Sequence, residues 1–296
     1  MWLKVEKGNE YALKQLGDLY WKNKEYRSAV KWFERCAEGN DNGDGYCSFY
    51  VGYAYDNGNG VGEDHKQAIQ WYLKSANNGD LDSAINVAWL YEKGQGTEIN
   101  KKEAFKWMEI AASKGYRISE RELGRFYLYG IGTPKNTEKA KKLLTKHVDK
   151  DLNAAYHLAR MYYLGLGVDK DYKKSYQLFS SKLLVDNAAS INYLAEHQYR
   201  GYGFEKDLNK ALELYTKAAE KGDANATFRL GWMYAKGESV QKNDRKAFYW
   251  YTQAAEKGNT PAQNNLGVMY GNGTATRKDD YQAFKWYKKA ALQNIE

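Results

Sequence analysis

At 296 residues, 43% of them hydrophobic and 15% aromatic, the chain has ample material for a packed core. Its mean hydropathy of -0.82 excludes a protein dominated by membrane spans, and no segment approaches the roughly 18 consecutive apolar residues that a spanning helix requires. A net charge of +8, with a pI near 9.0, favours an acidic partner and faster encounter with it.

The opening residues, MWLKVEKGNE, place charges where an apolar signal core would lie, so the expected location is cytoplasmic. Met1 to Lys7 line up with the end of a later helix, LKVEKGNEYA beside TQAAEKGNTPA, which makes Trp2 and Val5 a cover for the first hairpin. A first helix is centred near Gly17, a short turn runs from Asn23 to Tyr26, and a second helix reads AVKWFERCAEGN from Ala29. This pair then recurs. Its second member reads AIQWYLKSANNGD at Ala68, AFKWMEIAASKG at Ala104, ALELYTKAAEKGD at Ala211, AFYWYTQAAEKGN at Ala247 and AFKWYKKAAL at Ala283, with degenerate copies from Ala140 and Ser175.

A small residue after Leu or Val anchors each first helix, at Gly17, Gly52, Ala88, Gly124, Ala159, Ala195, Gly231 and Gly267, always 35 or 36 residues apart. A fixed period of this size is the signature of stacked structural repeats, in which length counts units rather than domains. The expected organisation is one array over residues 1–296, with repeats at 8–41, 42–79, 80–115, 116–150, 151–186, 187–222, 223–258 and 259–296.

Within one repeat, Ala226, Leu230, Gly231 and Tyr234 recur at helical spacing and put small and large apolar groups on one face. Gly237 ends that helix, because glycine accepts the left-handed conformation of a helix C-terminus. Elsewhere the stop is a G-x-G pair: Gly58 with Gly60, Gly94 with Gly96, Gly130 with Gly132, Gly165 with Gly167, and Gly201 with Gly203. These pairs join two helices and lack both a preceding strand and a G-K-[ST], so they do not read as phosphate loops. Asp64, Asn100, Asn136, Asp171, Asp207 and Asn243 then stand where a side chain can accept from the unpaired first N–H groups of the second helix. Ala247, Trp250, Tyr251, Ala254 and Ala255 form its amphipathic stripe.

Cys36 and Cys47 occupy positions filled by small residues in other repeats and read as small buried side chains, not as a disulfide framework. His65, His147, His157 and His197 have no metal-ligand spacing, and the expectation is that no metal or cofactor is bound.

The pattern A-x-x-x-L-G-x-x-Y-x-x-G-x-G-V, followed by a polar turn and K-A-x-x-W-Y-x-K-A-A-x-x-G-D/N, resembles the Sel-one-like repeat, a relative of the tetratricopeptide repeat, over essentially the whole chain. The resemblance implies an all-α, right-handed superhelical solenoid of about eight helix-turn-helix repeats. The chain departs from the pattern at the shorter turn from Asn23 to Tyr26. It departs again between Ala140 and Leu183, where Leu143-Leu144 and Leu178-Phe179 replace Trp-Tyr, and at Gln198, which replaces the first-helix tyrosine. Different packing is expected there.

By the same resemblance, the first helices line a concave groove. Counted from the anchor, the inward positions are Tyr46, Phe49, Tyr53 and Asp56, then Ile85, Trp89, Glu92 and Lys93, then Arg121, Arg125 and Tyr129. Further along they are Tyr156, Arg160 and Tyr163, then Glu196, Tyr199 and Arg200, then Phe228, Trp232 and Lys236. Tyr, Trp and Arg are the residue types that carry most binding energy at interfaces. The arginines favour a partner that presents carboxylates or a C-terminus.

No nucleophile, base and orienting group stand together, so an enzyme is not expected. The expected function is a protein-interaction scaffold or adaptor. The resemblance adds immunity against a toxin as one specific role. The alternative is a helical-repeat nucleic-acid binder, in which Arg121, Arg125, Arg160 and Arg200 contact phosphates and the tyrosines stack on bases. Glu92, Asp56 and Glu196 on the same surface weigh against it. A membrane is not an expected partner, and the C-terminal repeat, which stops after Ala290 and Ala291, leaves an uncapped end that reads first as a solvated helix face and second as a contact for a homo-oligomer.

Overall fold

The computed structural model describes residues 10–38 and 45–293; Trp2 and Val5 lie outside them. Among the described residues there are sixteen helices and no strands. The chain divides into two compact units, Met1–His147 and Val148–Glu296. The first holds α1 (Glu10–Lys22), α2 (Tyr26–Glu38), α3 (Gly45–Asn57), α4 (His65–Asn77), α5 (Leu81–Lys93), α6 (Lys101–Ala112), α7 (Arg117–Tyr129) and α8 (Thr137–His147). The second holds α9 (Leu152–Leu164), α10 (Tyr172–Phe179), α11 (Ala188–Arg200), α12 (Leu208–Glu220), α13 (Ala224–Lys236), α14 (Asp244–Glu256), α15 (Thr260–Asn272) and α16 (Asp280–Leu292).

Odd-numbered helices are the first members of hairpins and even-numbered helices the second. The anchors explain how closely the two approach. A Cβ built on Gly52 would lie 2.9 Å from the Tyr72 ring of α4, and one on Gly231 would lie 2.6 Å from the Tyr251 ring of α14. The missing side chain is therefore the space the ring occupies. Tyr72 and Tyr215 are fully buried and Tyr251 nearly so. Burying an aromatic ring of this size contributes about 2–3 kcal/mol each time it recurs.

Helix ends follow the expected chemistry. Asp64, Asn100, Asn136, Asp171, Asp207 and Asn243 each accept from a backbone N–H in the first turn of the second helix. Asp80, Asp151, Asn187, Asp223 and Asn259 do the same for first helices.

The second glycine of the G-x-G loop has a separate task. Gly132, at φ +65°, lies so close to α6 that an added Cβ would collide with the Lys101 carbonyl, and Gly60 approaches the backbone of Tyr26 and Arg27 in α2 in the same way. Each of these loops thus touches the start of the second helix in the preceding hairpin. In the last two repeats the left-handed position is held by Ser239 and Ala275 instead, at φ 59° and 63°. The Ser239 hydroxyl donates to the Asn209 side chain in α12, again in the preceding hairpin.

The degenerate middle does pack differently. α8 has 11 residues and α10 only 8, where 13 is usual. After α10 the chain turns, and buried Leu184 fills the core beside Phe179 and Leu194.

The cysteine expectation is corrected. Cys36 on α2 and Cys47 on α3 are fully buried, as small core residues should be, but their Cα atoms stand 6.0 Å apart and the sulfurs are bonded. Two consecutive helices packed at alanine-like distance put paired cysteines within bridging range. Periodicity alone located each residue and missed the bond.

Two outcomes check these contacts. Replacing both cysteines with alanine should lower unfolding free energy by about 3 kcal/mol in urea titration, and the unreduced wild type should yield no titratable thiol after denaturation. Gly132→Ala should destabilise by more than about 1 kcal/mol, whereas Ala275→Gly at the equivalent loop position should raise the melting temperature.

Candidate functional site

The predicted inward residues fall on the first helices of both units, and each unit is considered by itself. In the first unit, α3 carries Tyr46, Phe49 and Tyr53. Tyr46 donates to Asp18 Oδ1 at 2.6 Å and lies 3.6 Å beneath the Lys14 ammonium, so α1 holds it in place. Phe49 stacks with Tyr53 at 6.1 Å and meets the Tyr72 ring at 5.9 Å. Tyr53 remains 39% exposed. Asp56 turns to His65, with Oδ1 3.0 Å from Nδ1.

On α5, Ile85 is a core residue, Trp89 and Glu92 are half-buried, and Lys93 is exposed. On α7, Arg121 is buried rather than displayed, which corrects its reading as a groove residue; Tyr129 is half-buried. Arg125 donates through Nη1 and Nη2 to the two oxygens of Glu92, at 2.8 and 2.6 Å, and through Nε to Glu122 Oε2 at 2.7 Å. The other Glu122 oxygen lies 3.1 Å from Arg121 Nη2. Two guanidiniums and two carboxylates thus form a neutral ladder from α5 to α7. Burial alone would lower the Arg125 pKa, but bonds from Glu92 and Glu122 outweigh it and push the pKa up.

In the second unit, Tyr156 on α9 packs against Phe179 and Tyr193, and Arg160 donates from Nε to the Tyr193 hydroxyl at 3.1 Å. Tyr163 stands edge-on to Tyr172, Tyr193, His197 and Tyr202. His197, fully buried, is the hub of this cluster. Its Nδ1 lies 3.1 Å from the Tyr202 carbonyl, which can only accept, so Nδ1 bears the proton and Nε2 accepts from Ser175 Oγ at 3.3 Å. Desolvation depresses its pKa below the ordinary 6.5, opposed by the Tyr202 bond and Glu196.

Further along the face, Glu196 is 9% exposed, accepts from Arg200 Nε and the Tyr215 hydroxyl at 2.6 and 2.8 Å, and forms an ion pair with Arg229, whose Nε lies 2.7 Å from Oε1. Tyr199 donates to Glu238 at 2.7 Å. Phe228 packs beside Tyr251. Half-buried Trp232 lies 4.9 Å beneath the exposed Lys236 ammonium.

Sequence register therefore brings together Glu92 with Arg125, and Glu196 with Arg200. It missed Glu122, Arg229, Tyr193 and His197. The Glu122–Arg125 pair, at i,i+3, was legible as a helical ion pair. Arg229 sits one residue before its anchor leucine, off the inward register, and gave no such sign. Among the described residues no group of three or more His, Cys, Asp or Glu could hold a metal ion, and no helix is long and apolar enough to cross a membrane.

The buried imidazole makes a pH prediction. Because the folded state holds His197 neutral, the unfolded state binds more protons below its pKa, so folding stability falls as pH drops through about 6.5. Thermal melts at pH 7.5 and 5.5 should differ less in His197→Gln than in wild type.

The sequence matches the Sel1 repeat model over residues 11–41, 45–80, 81–116, 118–147, 152–181, 188–223, 224–259 and 260–295. Among solved structures, a protective antigen present in uropathogenic Escherichia coli strains, displaying an SLR fold, is 31% identical with a TM-score of 0.69. The alignment covers 98% of this chain and 63% of the antigen. A Sel1 repeat protein from Oxalobacter formigenes is 30% identical, with a TM-score of 0.68, over 77% of this chain and 94% of that one. An immunity protein from Pseudomonas aeruginosa shares the fold at 20% identity and a TM-score of 0.52, over 73% of this chain and 83% of that one. No curated protein matches the sequence.

Proposed function

This chain belongs to the Sel1 repeat family, and on that premise we propose that it is a non-enzymatic scaffold that binds a partner protein through its first-helix faces. The observation that carries the reading is the surface of the second unit, where Arg200, Glu196, Arg229, Tyr199 and Trp232 are linked in one polar and aromatic strip. In the first unit the corresponding face offers Tyr53, Trp89 and Tyr129. Half-buried aromatic groups beside ordered charges are what protein interfaces use as anchors.

The nucleic-acid alternative fares worse. Arg125 spends all three kinds of donor nitrogen on its own carboxylates, and its ladder carries no net charge. Phosphate binding draws on cations that release counterions, and the ladder supplies none. The buried Ser175–His197 pair is closed to solvent, which supports a non-catalytic role.

The Cys36–Cys47 bond supports an oxidising compartment over the cytoplasm expected from the opening residues, since disulfides persist where thiols are not kept reduced. Neutralising a toxin is the specific role suggested by the fold shared with the P. aeruginosa immunity protein. Growth rescue on co-expression with a toxin encoded beside the gene would test it.

Arg125→Ala is a poor probe of binding, because it removes the guanidinium that Glu92 and Glu122 both hold. Trp89→Ala with Trp232→Ala should instead weaken capture of the partner by more than about tenfold while leaving helical circular dichroism in place. Capture at wild-type strength by this variant refutes the reading.

A further inference from the structure

Building on the reading of the first-helix faces as binding surfaces, we propose that Arg200 and Arg229 form a receptor for one carboxylate of the partner. The contrast with the first unit makes the case. There, Arg125 is a closed guanidinium, with Nε and both Nη atoms held by Glu92 and Glu122. Arg200 and Arg229 are open. Arg200 donates its Nε to Glu196 and Arg229 pairs with the same acid through its Nε, and the Nη atoms of both have no hydrogen-bond partner among the described residues.

Glu196 acts as the pedestal. Its side chain is 11% exposed, whereas those of Arg200 and Arg229 are 41% and 25% exposed, so the acid lies beneath and the cations reach solvent. The Tyr215 hydroxyl completes its shell and fixes the carboxylate plane to which both arginines are hinged. Aromatic rings limit their swing: Arg200 stands 5.8 Å from the Tyr202 ring centre and Arg229 5.6 Å from that of Tyr199. Guanidiniums ordered in advance lose less freedom when a ligand arrives.

The charge balance selects the occupant. Two arginines over one carboxylate leave a single positive charge. The nearby Glu238, bonded to Tyr199, is offset by Lys206, whose ammonium lies 5.4 Å from the same ring. A single excess charge with free Nη donors suits one carboxylate, which accepts paired N–H bonds from guanidinium. That carboxylate is supplied by an acidic side chain or by a chain terminus.

The test uses the full chain and three fluorescein-labelled peptides of equal length: hexaglutamate with an amidated end, hexaglutamine with a free carboxyl end, and hexaglutamine with an amidated end. Fluorescence anisotropy should show at least one of the first two binding about tenfold or more tightly than the third. The preferred peptide identifies side-chain or terminal carboxylate. Arg200→Gln with Arg229→Gln should reduce that advantage to less than about twofold, and Lys285→Gln on α16 should leave it intact. If the double variant does not fold, Arg200→Gln alone, which keeps Arg229 on Glu196, should still cut the advantage by about half or more.

Equal binding of all three peptides, binding of none, or an advantage that survives the arginine changes overturns the assignment. So does a thymidine oligonucleotide that displaces the preferred peptide at equal concentration, since it would make phosphate the ligand. Any of these results alongside lost capture in the Trp89→Ala, Trp232→Ala variant removes the carboxylate receptor and leaves the scaffold standing.

Discussion

Close approach of the two helices in each hairpin is the constraint on which the rest of the molecule depends. A residue without bulk on the first helix admits a ring or branched chain from the second, as Gly52 admits Tyr72 and Gly231 admits Tyr251. Where the anchor is alanine, Met108, Phe179 and Tyr215 are the corresponding fully buried second-helix residues. With that face of the first helix committed to the hairpin, the remaining turns carry the side chains that vary. Architecture and candidate function are thereby separated on one helix by about a hundred degrees of rotation per residue.

Much of the fold could be read before any coordinates. The caps at Asp64, Asn100, Asn136, Asp171, Asp207 and Asn243 are local chemistry, decided within one turn, and each is found as expected. The Ala-Ala pairs and anchor residues are set by period. The disulfide was harder to see, because Cys36 and Cys47 differ from alanine in reactivity rather than size and register reports only size. The shortening of α10 was signalled by the loss of Trp-Tyr, but not the way Leu184 refills the core.

The first-helix faces were legible in position and misleading in availability. An inward arginine looks like an offered cation until its own carboxylates are placed. Glu122 and Glu92 take Arg125 out of play, burial removes Arg121 from the surface, Arg160 turns its Nε to Tyr193, and Arg200 keeps a donor edge toward solvent, joined by an Arg229 that register did not select. Counting arginines on a face measures how many were placed there. Free donor atoms measure what the face can hold, and those depend on contacts between neighbouring hairpins that no single repeat encodes.

The loop after each first helix carries a further consequence through its second left-handed residue. Gly60 and Gly132 rest on backbone atoms of the hairpin before them, so the spacing there is gauged main chain to main chain, like teeth meshing at a fixed pitch. Side chains around such a contact can drift without changing the step. Added or deleted residues in that loop cannot be absorbed, and length variation is pushed into the other connections.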